Sequence, residues 1–110
     1  MERNINNEIK DELENMIIKI HDLIDNREFD QCDKNLRTIM AQYPHEPHPH
    51  NLYGIFLEKQ GKHADAMKHF RAAWSLDPTY LPARYNMENY GGFSTKRKPA
   101  YNEEDCPEFQ

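Results

Sequence analysis

The sequence predicts an all-α fold built of antiparallel helix-turn-helix repeats, about five helices in all, followed by a disordered C-terminal tail. Three observations predict it. Apolar residues recur at steps of three and four through most of the chain, the spacing of one helix face. The 110 residues include no valine and only three threonines, so the β-branched content is mostly isoleucine at helical spacing and a sheet has little to build on. Pro44 and Pro78 stand 34 residues apart, and sliding the chain by that distance lays Cys32 on Ala66, Leu36 on Phe70, Ile39 on Ala73 and Met40 on Trp74.

The first helix is carried by Ile5, Ile9, Leu13, Met16, Ile17, Ile20, Leu23 and Ile24, with Asn4 or Asn6 as its cap and acidic residues in its first turns to suit the helix dipole. Asp25-Asn26 breaks the pattern. Phe29, Cys32, Leu36, Ile39 and Met40 give a second helix, which ends at Tyr43-Pro44 because the residue before a proline leaves the helical region. Proline is tolerated in a helix's first turn, so a third helix starts near Pro47 to Pro49. It carries Leu52, Tyr53, Phe56 and Leu57 and stops at Gly61, which accepts the left-handed cap at low cost. Ala64, Ala66, Met67, Phe70, Ala73, Trp74 and Leu76 mark a fourth helix closed by Asp77-Pro78. Ala83 to Tyr90 form a shorter fifth, ended by Gly91-Gly92. The remainder has no period and reads as a tail.

A single helical hairpin cannot cover its own apolar face, so a neighbouring hairpin must, and packing residues then recur at fixed offsets. Residues 47–80 resemble the tetratricopeptide repeat family. Gly54 stands at that family's glycine, Lys59-Gln60-Gly61 at its inter-helix turn, Ala66, Phe70 and Ala73 at its packing positions, and Pro78 at its end. Residues 13–46 are a weaker copy in which Ile20 replaces the small residue at the close helix contact, which predicts a splayed first hairpin. The resemblance implies a helical domain over 1–91, with repeats at 13–46 and 47–80 and a capping helix at 81–91, then a flexible tail at 92–110.

Charge and composition exclude several classes. The chain carries 14 Lys+Arg against 19 Asp+Glu, a net charge of −5, and its one basic run is Lys96-Arg97-Lys98, so it offers no continuous face for phosphates and no nucleic-acid partner is expected. Met16-Ile17-Ile18 is its longest aliphatic run, far below the roughly 20 residues of a membrane-spanning helix. Met1 is followed by Glu2, Arg3 and Asn4 rather than an apolar leader, and two cysteines make no disulfide framework. A cytoplasmic protein is expected.

Catalysis finds no foothold. There is no phosphate-cradling glycine loop, no GxSxG and no HExxH. Cys32 sits where the repeat carries alanine and is expected to be a buried filler, while Cys106 lies among Glu104, Asp105 and Glu108, which disfavour a thiolate. His45, His48 and His50 raise an alternative, a metal-binding protein, because imidazoles ligate zinc, copper and nickel. Their spacing along an extended segment and a helix start does not converge them on one point. No metal site and no cofactor are expected.

In proteins of the resembled family the first helices of successive units line a concave groove that receives a peptide or helix of a partner. Carried onto this chain, the groove comprises Ile17, His21 and Ile24, then Asn51, Ile55 and Glu58, then Tyr85, Asn86 and Asn89. Amide side chains suit that work because they donate and accept at once against a peptide backbone. A subgroup of the family grips carboxylate tails with cations, but here the corresponding positions hold Ile17, Pro82 and Asn86, so no such clamp is expected. The reading is a non-catalytic scaffold for a protein or peptide. Two further expectations are self-association through an exposed end bearing Trp74, and a tail that folds back into its own groove through Phe93, Tyr101 and Phe109.

Overall fold

The described residues fold as five α-helices: α1 (Asn7–Asp25), α2 (Phe29–Gln42), α3 (Pro47–Lys59), α4 (His63–Leu76) and α5 (Leu81–Gly91). A one-turn 3-10 helix, Glu103–Asp105, follows. The computed structural model describes residues 7–92 and 98–106, and among these there is no strand. The caps read at Asn4 and Asn6 lie outside the described residues. No described helix is long and apolar enough to cross a membrane.

The 34-residue period is written into the backbone of the turns. After α1, the amide of Glu28 bonds the carbonyl of Leu23 at 2.9 Å and that of Arg27 bonds Ile24 at 3.0 Å. After α3, Lys62 bonds Leu57 at 2.9 Å and Gly61 bonds Glu58 at 3.0 Å, the same 6→1 and 5→2 pair displaced by 34 residues. Both turns need a left-handed residue, and Arg27 (φ 56°) and Gly61 (φ 78°) supply it. Glycine does so freely, whereas arginine adopts this conformation against its Cβ. The ends of α2 and α4 repeat in the same way, with Tyr43 bonded to Ile39 and Asp77 to Ala73, then Glu46 to Tyr43 and Tyr80 to Asp77.

The hairpins differ in how closely their helices approach. Gly54 faces the ring of Phe70 so tightly that a Cβ there would stand 2.4 Å from it, so α3 and α4 meet backbone against aromatic. The equivalent position on α1 is Ile20, whose branched side chain is buried opposite α2. A cleft of about 290 Å³ remains between α1 and α2, lined by Met16, Ile20, Asn35 and Ile39 among others. The first hairpin is wedged open at the residue that departs from the repeat.

α3 is the centre of the molecule. It touches each of the other four helices, and nine of its residues from Pro47 to Leu57 are buried, more than one amphipathic stripe supplies. The main core runs from Leu13, Ile20 and Ile24 through Leu36, Leu52, Ile55 and Phe56 to Phe70. α1, α3 and α5 contact one another in sequence as one layer, with α2 and α4 packed behind. An Arg37–Tyr53–Asp33 network pins α2 to α3, the tyrosine donating to Asp33 at 2.9 Å and accepting from Arg37 at 3.1 Å.

Residues 98–106, within the stretch read as a flexible tail, lie across the front layer as a strap. Ala100 and Cys106 are fully buried and Tyr101 nearly so. The 3-10 helix fixes its far end: Asn102 accepts from the Glu104 amide at 3.0 Å, and Asp105 accepts from the Tyr101 amide at 3.0 Å. The rest of that stretch, 93–97 and 107–110, with Phe93 and Phe109, lies outside the described residues.

Candidate functional site

The candidate site is the face of α1, α3 and α5. Residue 51 is an asparagine in the otherwise apolar interior of α3, and residue 86 an asparagine on α5; both are fully buried. A buried amide left without partners would cost about 1–3 kcal/mol for each unsatisfied group. Here each is answered. Asn86 donates to Asn51 at 2.8 Å and to the carbonyl of Ala100 at 2.8 Å, and Asn51 donates to the same carbonyl at 3.0 Å. The Ala100 amide in turn donates to the Asn86 carbonyl oxygen at 2.7 Å. Two side chains thus satisfy both backbone groups of one residue, whose methyl group is enclosed beside Tyr85 and Cys106.

Tyr101, the next strap residue, lies flat on His21 of α1, ring centroids 3.7 Å apart and planes within 10°. Its phenol is pushed far above the usual tyrosine range, first by burial and then by Asp25. Tyr85, Ala100 and Cys106 form a small apolar cluster at the other end. Of the residues the sequence assigned to the groove, His21, Asn51, Tyr85 and Asn86 meet the strap. Ile17, Ile24 and Ile55 lie in the core that Tyr101 joins, and Asn89 is buried. Glu58 turns aside to His63, 2.6 Å from its ring nitrogen. The face of α1, α3 and α5 is thus covered in part by the chain's own residues 100–106.

The three clustered histidines part company. His45 lies exposed in the turn before α3. His48 leans on Tyr80 with ring centroids 4.6 Å apart, its Nδ1 3.8 Å from Glu46. His50 meets His69 of α4, Nδ1 to Nδ1 at 3.1 Å. Among the described residues no three His, Cys, Asp or Glu side chains come together in a way that could hold a metal ion. Cys32 is fully buried, and that burial, with Asp33 beside it, pushes its thiol up to about 12. Trp74 and Leu76 stand about one-third exposed at the end of α4, the indole donating to the Pro78 carbonyl.

The His50–His69 pair escaped sequence reasoning because nothing local links residues 19 apart on two helices. A 3.1 Å contact between two imidazole nitrogens needs one donor and one acceptor, so a second proton breaks it. Burial lowers both proton affinities, and for His69 the neighbouring His50 lowers it further. The unfolded chain takes up these protons near pH 6.5 while the folded chain refuses them until lower pH, so stability is full above that value and drains away below it. Urea midpoints should fall between pH 7 and pH 5, and His69→Gln should flatten that fall; an equal slope in both chains would discount the pair.

The chain matches no family model, no curated protein and no solved structure.

Proposed function

We propose that this chain is a non-catalytic interaction module of the tetratricopeptide-repeat kind, which takes an extended segment of a protein partner on the face of α1, α3 and α5. The observation that carries the reading is the double amide grip on Ala100. It takes both backbone groups of one residue and encloses a side chain no larger than a methyl, which suits an extended peptide with a small residue at that point. The turns repeated at 34 residues support the family resemblance, since they show two units built on one plan. A cytoplasmic setting is supported by two buried cysteines that form no disulfide.

The strap is then the resident ligand, and an outside segment must displace it. Ala100→Pro in the full chain removes the amide proton that Asn86 receives and should release the strap without touching the helices. A synthetic peptide of residues 98–106 should bind that variant and bind the unaltered chain at least tenfold more weakly. Failure of the peptide to bind a variant whose strap is free, judged by rapid hydrogen exchange at the Tyr101 amide, would reject the groove.

A further inference from the structure

Beside the strap a second recess stays open. A cleft of about 580 Å³ lies between the first half of α1, the start of α3, Tyr80 and the strap. Its floor is apolar: Leu13 and Ile17 belong to the core, and Ile18 at the rim is 62% exposed, the most exposed large apolar side chain of the described residues. Its wall is acidic. Glu14 of α1 and Glu103 and Glu104 of the strap line it, with Lys10 and the imidazole of His48 as its basic groups. None of these three carboxylates forms an ion pair among the described residues.

Tyr80 supplies the independent observation. It lines the same cleft, is only 6% exposed, and its hydroxyl has no hydrogen-bond partner among the described residues. Buried hydroxyls are nearly always partnered, so one enclosed without a partner in the wall of a cleft marks a place where an incoming polar group would meet an unmet bond. Burial, and after it the Glu103 carboxylate, keep this phenol protonated far above its usual range. It can therefore both donate and accept.

We infer that this cleft receives a basic and apolar segment of a partner protein, its lysine or arginine head among Glu14, Glu103 and Glu104 and its apolar neighbour on Leu13, Ile17 and Ile18. The charge balance excludes an acidic occupant. A purely apolar one would strip water from three carboxylates and give nothing back to Tyr80. Lysine and arginine do both jobs, since their stems lie on apolar surface while their heads stay among acceptors. Asn102, Glu103 and Glu104 of the lining belong to the strap, so the site is assembled only while the strap is docked. This inference rests on that docked segment and on the interaction-module reading, yet the two fail by different signs.

The probe is a fluorescein-labelled peptide of three leucine-arginine pairs with blocked ends, titrated into the full chain, with a leucine-glutamate peptide beside it. Only the basic peptide should bind. Glu14→Gln, which leaves the strap untouched, should weaken it about threefold; Glu14→Gln, Glu103→Gln and Glu104→Gln together should weaken it at least tenfold. Glu28→Gln, Asp30→Asn and Asp65→Asn remove the same charge away from the cleft and should change affinity less than twofold. Tyr80→Phe should weaken binding severalfold with the fold intact. Equal losses in the two triple variants would reduce the effect to net charge and overturn the site, as would full affinity in Glu14→Gln. Throughout, the Ala100 amide should stay protected from exchange; a probe that exposes it has entered the groove, which overturns the cleft and leaves the groove reading standing.

Discussion

Gly54→Ala is expected to destabilise the fold by about 2–3 kcal/mol, a fall of roughly 10 °C or more in Tm. On an exposed helix the same change would be favourable, because alanine is the better helix former by about 1 kcal/mol. Here the added carbon would sit 2.4 Å from Phe70 Cε1 and 2.6 Å from its Cδ1. The ring has nowhere to go: Phe70 is fully buried and stacks on Tyr90, centroids 5.8 Å apart. The helices must therefore separate, at the contact on which the second hairpin is built. The check is thermal unfolding of Gly54→Ala, Phe70→Leu and the double variant. The smaller side chain should take back about 1–2 kcal/mol of the cost, a non-additivity expected of residues in direct contact. Strictly additive losses would mean that the alanine strikes something else.

Asn86→Ala is expected to undock the strap. The substitution deletes three hydrogen bonds of 2.7 to 2.8 Å at once and leaves the Ala100 amide facing a methyl group. Burying those orphaned groups would cost several kcal/mol, so the strap leaves for water instead, and the loss in global stability is capped at its docking free energy, about 1–3 kcal/mol. Hydrogen exchange at the Ala100 and Tyr101 amides should rise toward the rate of an unprotected peptide while exchange in α3 changes little. Asn86→Asp is the sharper variant: it keeps the oxygen that Ala100 donates to, yet turns the nitrogen that served Asn51 and the Ala100 carbonyl into a second acceptor. It should release the strap as well. Retained protection at Ala100 in both variants would show that the apolar contacts of Tyr101 hold the strap without the amides.

The helices were legible because their signals are local. Apolar spacing placed all five, Pro47 and Pro82 stand in first turns, and Gly61 takes the left-handed conformation that its position before α4 demands. Arg27 does the same at the equivalent turn, and nothing in an arginine announces it; only the 34-residue offset from Gly61 could have done so. Ile20 against Gly54 was readable as a wedge, since it is a difference of volume at one repeat position. The strap was not readable from composition. Its ordering depends on Asn51 and Asn86, 49 and 14 residues away, and such long-range bonds leave no period in residues 98–106. The amide character of the α5 face was visible, and a tail folded back through Tyr101 was among the expectations, but not that the backbone of Ala100 is what the amides grip. The cleft was beyond reach for the same reason, being made partly of the strap.

A strap joined to α5 through only six residues, 92–97, never dilutes away. A short tether of this kind presents its segment at an effective concentration on the order of millimolar, whatever the amount of protein in solution. A rival peptide with the strap's own intrinsic strength reaches half-occupancy only near that figure, so most passing chains are turned away by mass action alone. What gains entry must either grip more firmly than the resident or hold a neighbouring patch at the same moment.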